Sequence, residues 1–157
     1  MIVPIIMGSK SDLAHARKIA EALAVYGVAT ELRIASAHKS TRYLLMLLEA
    51  YEADPQPKVY ITIAGRSNAL SGVVDANVAA PVIACPPPSE AFGGADIFSS
   101  LRMPSGVAPA VVLDPENAAL LAVKMLALAD PGLRDQVAAA QERARARIEA
   151  DDQGLRR

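Results

Sequence analysis

Short apolar runs alternate along the chain with longer segments in which apolar residues recur every three or four positions. The short runs fit buried strands, which are predicted at residues 2–7, 30–34, 59–64, 81–84 and 110–113. Pro4 lies inside the first run, and proline cannot donate a hydrogen bond to a sheet. That strand is therefore predicted to begin near Ile5 or to hold Pro4 at an unpaired edge.

The longer segments fit amphipathic helices with identifiable ends. Spacings of three and four predict helices from Asp12 to Gly27, at about 42–53 and 70–79, and a shorter helical piece at 96–101. Two further helices begin at Asp114 and Asp130, because each acidic N-cap is followed by proline. The residues from about 150 to 157 are predicted to form a charged, frayed tail.

Strand and helix alternate at least five times, an order that favours a parallel sheet. The predicted fold class is therefore α/β: a three-layer, doubly wound parallel sheet of the flavodoxin/Rossmann-like kind, with a C-terminal helix. A length of 157 residues is typical of one domain. A single domain over residues 1–157 is predicted.

Composition and charge exclude several classes of function. The chain has 16 Lys and Arg against 17 Asp and Glu, a formal charge of −1, without the basic excess typical of nucleic-acid or acidic-membrane partners. Its one cysteine cannot form an intrachain disulfide, and no Cys/His spacing fits a zinc site, so no metal is predicted. The N-terminus does not resemble a signal peptide, and we expect a cytoplasmic protein.

The most apolar window covers residues 118–129. It is shorter than the roughly 20 residues that span a bilayer, and Lys124 interrupts it. A helix that is apolar nearly all round needs burial on every side, which a small domain seldom provides. A subunit interface is therefore predicted at this helix.

Three polar loops follow the first three predicted strands, at residues 8–12, 36–40 and 65–68. In a doubly wound sheet, ligands bind beyond the carboxyl ends of the strands. The predicted fold brings the three loops to one edge of the sheet. The functional site is predicted there.

The first loop suits a nucleotide monophosphate. Free backbone N–H groups after Gly8, at the start of a helix, favour an anion, and the hydroxyls of Ser9 and Ser11 add donors. Asp12 repels phosphate and is better suited to accept hydrogen bonds from sugar hydroxyls. Helix capping is the alternative interpretation, because serine and aspartate are common caps.

The second loop carries His38, one of two histidines in the chain. An imidazole can accept and release protons near neutrality, and the neighbouring Lys39 suits an anionic substrate or a carboxylate formed in the reaction. A solvated surface loop is the alternative interpretation. His15, the other histidine, is predicted to lie at the surface on the polar face of a helix.

The third loop presents Arg66, Ser67 and Asn68 at another predicted helix start. These donors suit a carboxylate, bicarbonate or polarised CO2. A capped polar turn is the alternative interpretation. Cys85 follows an apolar strand with no obvious activating base, so a buried, inert thiol is predicted.

Taken together, these motifs resemble the PurE-type phosphoribosylaminoimidazole carboxylase family of purine biosynthesis. The resemblance covers almost the whole chain, and it is carried by residues 7–12, 36–38, 64–65 and 103–106. Within the family the chain is more similar to class II, the carboxylases that use CO2 directly. Lys39 and the segments 64–70, 85–87 and 99–102 carry that similarity.

The resemblance implies carboxylation of 5-aminoimidazole ribonucleotide (AIR) at C4 by CO2, giving 4-carboxy-5-aminoimidazole ribonucleotide (CAIR) in de novo synthesis of IMP. The reaction is reversible and implies no biotin, ATP or metal, because C4 of this enamine-like ring is already nucleophilic. His38 is implied as the proton shuttle, with Ser9 and Asp12 binding the ribonucleotide. Ser67 and Asn68 are expected to bind CO2 or bicarbonate. Further substrate ligands are expected at Ser11, Ser36, Lys39, Gly65 and Arg66.

The family also implies a homo-oligomer, an octamer with active sites near subunit boundaries. Two alternative functions remain. One is the sister-class mutase, which moves a carboxylate from N5 to C4 of the ribonucleotide (N5-CAIR to CAIR). The other is a nucleotide-binding regulatory module without catalysis.

Overall fold

Five parallel strands form one sheet in the computed structural model, which describes residues 1–156. The strands are β1 (Ile2–Met7), β2 (Ala29–Ile34), β3 (Tyr60–Ile63), β4 (Val82–Ala84) and β5 (Ala110–Val111). Their order is β2-β1-β3-β4-β5, so the chain passes to one side of β1 for β2 and to the other for β3. This is the flavodoxin-like doubly wound order, and the predicted fold class is confirmed.

Six α-helices are described within residues 1–156, and five of them pack on the two faces of the sheet. They are α1 (Leu13–Ala24), α2 (Thr41–Glu52), α3 (Leu70–Asp75), α4 (Phe98–Leu101), α5 (Pro115–Leu126) and α6 (Pro131–Leu155). Helices α1, α5 and α6 bury their apolar side chains with Val3 and Ile5 of β1. The next residue along, Ile6, packs instead with α2 and α3 on the opposite face. The alternation of side chains along a strand thus supplies both cores.

Pro4 lies within β1, which begins at Ile2, so the predicted start near Ile5 is wrong. The N–H of Ile2 donates to the carbonyl oxygen of Pro57, and because N–H directions alternate along a strand, the nitrogen of Pro4 faces the same side. The ladder between β1 and β3 begins only at Ile5. The missing donor of Pro4 therefore falls just before the ladder with β3 begins. Because β1 lies between β2 and β3 and Pro4 pairs with Glu31 of β2, the predicted unpaired edge is also wrong.

Two elements are shorter than predicted. Helix α3 ends at Asp75 rather than at about residue 79, because the side-chain amide of Asn77 donates to the carbonyl oxygen of Val73 at 2.7 Å and closes the helix. Strand β5 consists of two residues, which pair with β4 at the far edge of the sheet.

Helix α5 is covered within the chain itself. Its buried residues include Ala118, Ala122 and Val123, and α1 and α6 both pack against it. The apolar character of residues 118–129 thus has an explanation within one chain and does not require a partner. Among the large apolar side chains of residues 118–129, only Leu128, just past the end of the helix, is strongly exposed, at 90%.

Helix α6 continues to Leu155, so the chain does not fray at residue 150 as expected; Arg157 lies outside the described residues. Leu133 and Val137 are buried, but Ile148 on the same predicted stripe is 68% exposed. The helix ends on the ion pair between Asp152 and Arg156, 2.8 Å apart. Among residues 1–156, no helix combines the length and apolarity needed to cross a bilayer.

The N-cap of α6 supplies a test of this packing. The carboxylate of Asp130 accepts the N–H of Leu133 at 3.0 Å, so Asp130→Ala should lower the free energy of unfolding by about 1 kcal/mol. The melting temperature should fall by roughly 2–4 °C. Asp135→Ala removes the same charge from an exposed position of the same helix and serves as the control in calorimetry. Equal effects of the two variants would contradict the capping role.

Candidate active site

One cavity of about 620 Å³ lies at the carboxyl ends of β1, β2 and β3. All three polar loops that the sequence singled out contribute to its wall. Their residues on the wall are Gly8, Ser9, Ser11, Asp12, Ser36, Ala37, His38, Lys39, Gly65, Arg66 and Ser67. The expected meeting of the three loops at one edge of the sheet is therefore present.

The first loop is organised around one carboxylate. Asp12 ends a 3-10 turn that separates β1 from α1, so α1 begins at Leu13 rather than at Asp12. The Asp12 carboxylate accepts hydrogen bonds from the N–H of Ser9 at 3.1 Å, from its hydroxyl at 3.4 Å and from the hydroxyl of Ser11 at 3.3 Å. Asp12 thus holds both serine hydroxyls on the cavity wall.

Gly8 itself has no free N–H, although the free N–H groups predicted in this loop are those that follow it. Its N–H donates to the carbonyl oxygen of Ile63 at 2.8 Å and extends the pairing of β1 with β3. After Gly8, the N–H of Ser9 donates to the Asp12 carboxylate and the N–H of Asp12 donates to the carbonyl oxygen of Ser9. The hydroxyls of Ser9 and Ser11 lie on the cavity wall, where they can donate to an anion.

The serines of the second loop hold its backbone by hydrogen bonds. The hydroxyl of Ser40 accepts the N–H of Ser36 at 2.9 Å, and the hydroxyl of Ser36 accepts the N–H of Lys39 at 3.2 Å. His38 and Lys39 are exposed on the cavity wall. Within residues 1–156, the side chains of His38 and Lys39 make no hydrogen bond or ion pair, so both can contact a ligand.

The third loop contains a strained residue. Arg66 has a φ of 58°, in the left-handed region, which costs a non-glycine residue roughly 1–2 kcal/mol. This backbone conformation leaves Arg66 and Ser67 exposed on the cavity wall. The cavity wall therefore carries the cations Lys39 and Arg66, which suit an anionic ligand.

Asn68 is placed differently from the expectation that it binds CO2. Its side chain is 5% exposed, lies off the cavity wall and is fully engaged. The amide nitrogen donates to the hydroxyls of Ser71 at 2.7 Å and Ser100 at 2.9 Å, and the amide oxygen accepts the N–H of Ser71 at 3.2 Å. Asn68 thus bonds the N–H of Ser71 at the start of α3 and does not reach the cavity wall, where its contact with CO2 was expected.

A fourth loop, after β4, completes the cavity and was missed at the sequence level. It contributes Pro87, Pro88, Ser89 and Asp96 to the wall, and the hydroxyl of Ser89 donates to the carboxylate of Asp96 at 2.9 Å. The signal was present, because this loop follows a predicted strand in the same way as the other three. The three consecutive prolines marked it only as a stiff connection.

His15 is not a surface residue. It is half-buried, and its Nε2 lies 3.3 Å from the Sγ of Cys85. Burial lowers the pKa of His15, which therefore favours the neutral imidazole. Burial also raises the pKa of Cys85 to about 12, so the thiol stays protonated near neutrality. The predicted buried, inert cysteine fits this environment.

Comparison with known proteins identifies the family. A sequence model of the family described as AIR carboxylase matches residues 2–147. A phosphoribosylaminoimidazole carboxylase of Treponema denticola is 53% identical over 99% of this chain and 98% of its own. One from Archaeoglobus fulgidus is 56% identical over 97% of this chain and 83% of its own.

Two further comparisons concern a larger protein and a solved structure. The human bifunctional phosphoribosylaminoimidazole carboxylase/phosphoribosylaminoimidazole succinocarboxamide synthetase is 44% identical over 82% of this chain, which spans 30% of that protein. The crystal structure of Treponema denticola PurE superposes with a TM-score of 0.97 over 99% of both chains. The chain belongs to the AIR carboxylase family of purine biosynthesis.

Proposed function

We propose that this enzyme joins CO2 to C4 of AIR and forms CAIR reversibly, without biotin, ATP or a metal. The observation that carries the proposal is the meeting of His38, two cations and the hydroxyls of the first loop on one cavity wall. AIR is a phosphorylated nucleoside with sugar hydroxyls and a nucleophilic ring carbon. The wall offers a counterpart for each of these features.

The chemistry consists of one bond formed and one proton lost. The electron pair of the enamine-like C4 attacks the carbon of CO2, and one C–O π pair moves onto oxygen to give a carboxylate. C4 then carries both its hydrogen and the carboxylate, so the ring is no longer aromatic. Transfer of that proton to the His38 imidazole restores aromaticity, and the exposed imidazole releases the proton to solvent.

We assign the binding roles by charge and hydrogen-bonding capacity. Ser9, Ser11 and Asp12 bind the ribose phosphate, with Asp12 accepting from a sugar hydroxyl, and Ser36 and Gly65 line the space for the ring. Lys39, Arg66 and Ser67 attract CO2, or the carboxylate that it becomes. Holding CO2 beside C4 is a task of positioning, which suits donors mounted on short loops at strand ends.

The choice of CO2 over a transferred carboxylate has support from named relatives. The Treponema, Archaeoglobus and human proteins compared above all carry the name of a carboxylase. The sister-class mutase is the alternative, because release and recapture of CO2 at C4 would use the same wall. A regulatory nucleotide-binding module is the second alternative, and it would need no proton acceptor at position 38.

We place the reaction in the cytoplasm and propose no nucleic-acid or membrane partner.

A homo-oligomer, and specifically an octamer, belongs to the same proposal. Large apolar side chains are exposed on β2 and on α2, among them Ile34 at 46% and Met46 at 60%. Others lie in the fourth loop and just after it, including Phe92 at 90% and Phe98 at 69%. Residues 141–155 of α6 are also exposed along their whole length. Contact between copies would bury these groups and shield the open cavity.

Supplying each substrate separately tests the reaction. We expect turnover of AIR that rises with CO2 concentration, and no turnover of N5-CAIR, in a spectrophotometric assay of CAIR formation. Adding carbonic anhydrase distinguishes CO2 from bicarbonate, because it brings the two rapidly to equilibrium. Turnover of N5-CAIR but not of AIR would contradict the carboxylase proposal and favour the mutase.

Replacement of His38 tests the proton acceptor. We expect His38→Asn to lower kcat by about 10²–10⁴-fold, the usual contribution of a general base, while AIR binding is largely kept. His15→Gln changes the other histidine, which lies off the cavity wall, and should keep turnover within a few fold. Full activity of His38→Asn would exclude this imidazole as the proton shuttle.

Replacement of Asp12 tests ribonucleotide binding. Asp12→Ala removes the acceptor for the sugar hydroxyl and frees both serines of the first loop, so Kd for AIR should rise by about tenfold or more. Asp12→Asn keeps one acceptor oxygen and should weaken binding less. Isothermal titration of AIR into each variant measures the change, and an unaltered Kd in Asp12→Ala would remove Asp12 from the binding site.

A further inference from the structure

A hydroxyl outside the cavity ties together two of the loops that form its wall. Ser99, on α4, accepts the N–H of Asn68 at 2.9 Å. Its own proton lies within reach of the carbonyl oxygens of Asp96, at 2.7 Å, and Arg66, at 3.1 Å. Arg66 belongs to the third loop and Asp96 to the fourth, so this single hydroxyl contacts the backbone of both.

A buried network anchors this junction to the sheet. Ser100, which is 2% exposed, accepts a hydrogen bond from the side chain of Asn68. Asn68 also donates to Ser71, whose hydroxyl accepts from Thr62 of β3 at 3.0 Å. No buried side-chain nitrogen or oxygen within residues 1–156 lacks a hydrogen-bond partner. The network is therefore complete and fixes Asn68 with respect to β3.

Arg66, whose backbone is strained, lies between the Ser99 hydroxyl and the buried network at Asn68. Arg66 holds a left-handed φ of 58°, which a non-glycine residue leaves unless its surroundings fix it. Its side chain is exposed, and the described contacts of its backbone carbonyl include only the Ser99 hydroxyl. Loss of that hydroxyl releases both the Arg66 carbonyl and the Asn68 N–H, and Arg66 and Ser67 can then turn away from the cavity.

We propose that Ser99 is a positioning residue of the reaction: it holds the turn at Arg66 and Ser67 in the strained form that faces the cavity. The proposal rests on the function proposed above, in which these two residues attract CO2. Ser99 lies off the cavity wall, so it acts through the turn. Its loss should weaken the use of CO2 far more than the binding of AIR, which the first loop controls.

Steady-state kinetics on the full-length enzyme test this assignment. For Ser99→Ala, kcat/KM for CO2 at saturating AIR should fall by about ten- to hundredfold, while KM for AIR should stay within about twofold. Ser99→Thr keeps the hydroxyl and should restore most of the activity. Ser99→Val has the shape of threonine without the hydroxyl and should behave like Ser99→Ala, so the Thr and Val variants form a matched pair.

A purely structural effect is distinguished by a second comparison. Asp130→Ala also weakens the fold, at a helix start remote in sequence from the turn, and should leave the ratio of the two kinetic constants unchanged. Equal use of CO2 by the Thr and Val variants, or equal losses for CO2 and AIR, overturns the positioning role. Absence of CO2-dependent turnover in the wild-type enzyme instead contradicts the proposed function, and with it the link from Ser99 to CO2.

Discussion

The pairing of β1 with β3 is the interaction on which the candidate site depends. The chain moves to one side of β1 for β2 and to the other for β3, so a crevice opens where their loops diverge. The hydrogen bond from Gly8 to Ile63 continues this pairing to the point where the loops begin. Three loops distant in sequence meet at the crevice because parallel strands all end at the same edge.

Short polar side chains stabilise the loops at this edge by hydrogen bonds to the backbone. Asp12, Ser36 and Ser40 accept backbone N–H groups within their own loops, and Asn68 accepts one from the first turn of α3. Within residues 1–156, the longer side chains of His38, Lys39 and Arg66 make no hydrogen bond or ion pair, and they lie on the cavity wall. The hydrogen bonds of the short side chains keep the loops rigid, and the side chains of His38 and Lys39 remain available to a substrate. Rigid mounting is what the proposed reaction requires, because CO2 must be held beside C4.

The fold and the position of the site follow from simple patterns in the sequence. Alternating apolar periods predict the doubly wound sheet, and the rule that ligands bind at strand ends locates the site. The N-caps at Asp114 and Asp130 were also predictable, because acid followed by proline has few other uses at a helix start, and both carboxylates accept the expected N–H.

The failures at Asn68 and His15 share one cause, which is that tertiary contacts decide where a side chain points. Asn68 looked like a ligand because it stands beside Arg66 and Ser67, but partners distant in sequence, Ser99 and Ser100, hold it inward. His15 looked like a surface residue on its helix, yet Cys85, 70 positions away, lies against it. Neither contact leaves a trace in local periodicity.

We propose above all that the His38 imidazole accepts the proton from C4 of the bound ribonucleotide. A crystal structure of the complex with AIR tests it most directly. We expect the phosphate and ribose of AIR to contact the first loop, and an imidazole nitrogen of His38 to lie within about 3.5 Å of ring C4. An AIR molecule bound in the cavity with its C4 remote from His38, and the imidazole turned to bulk water, would contradict the account.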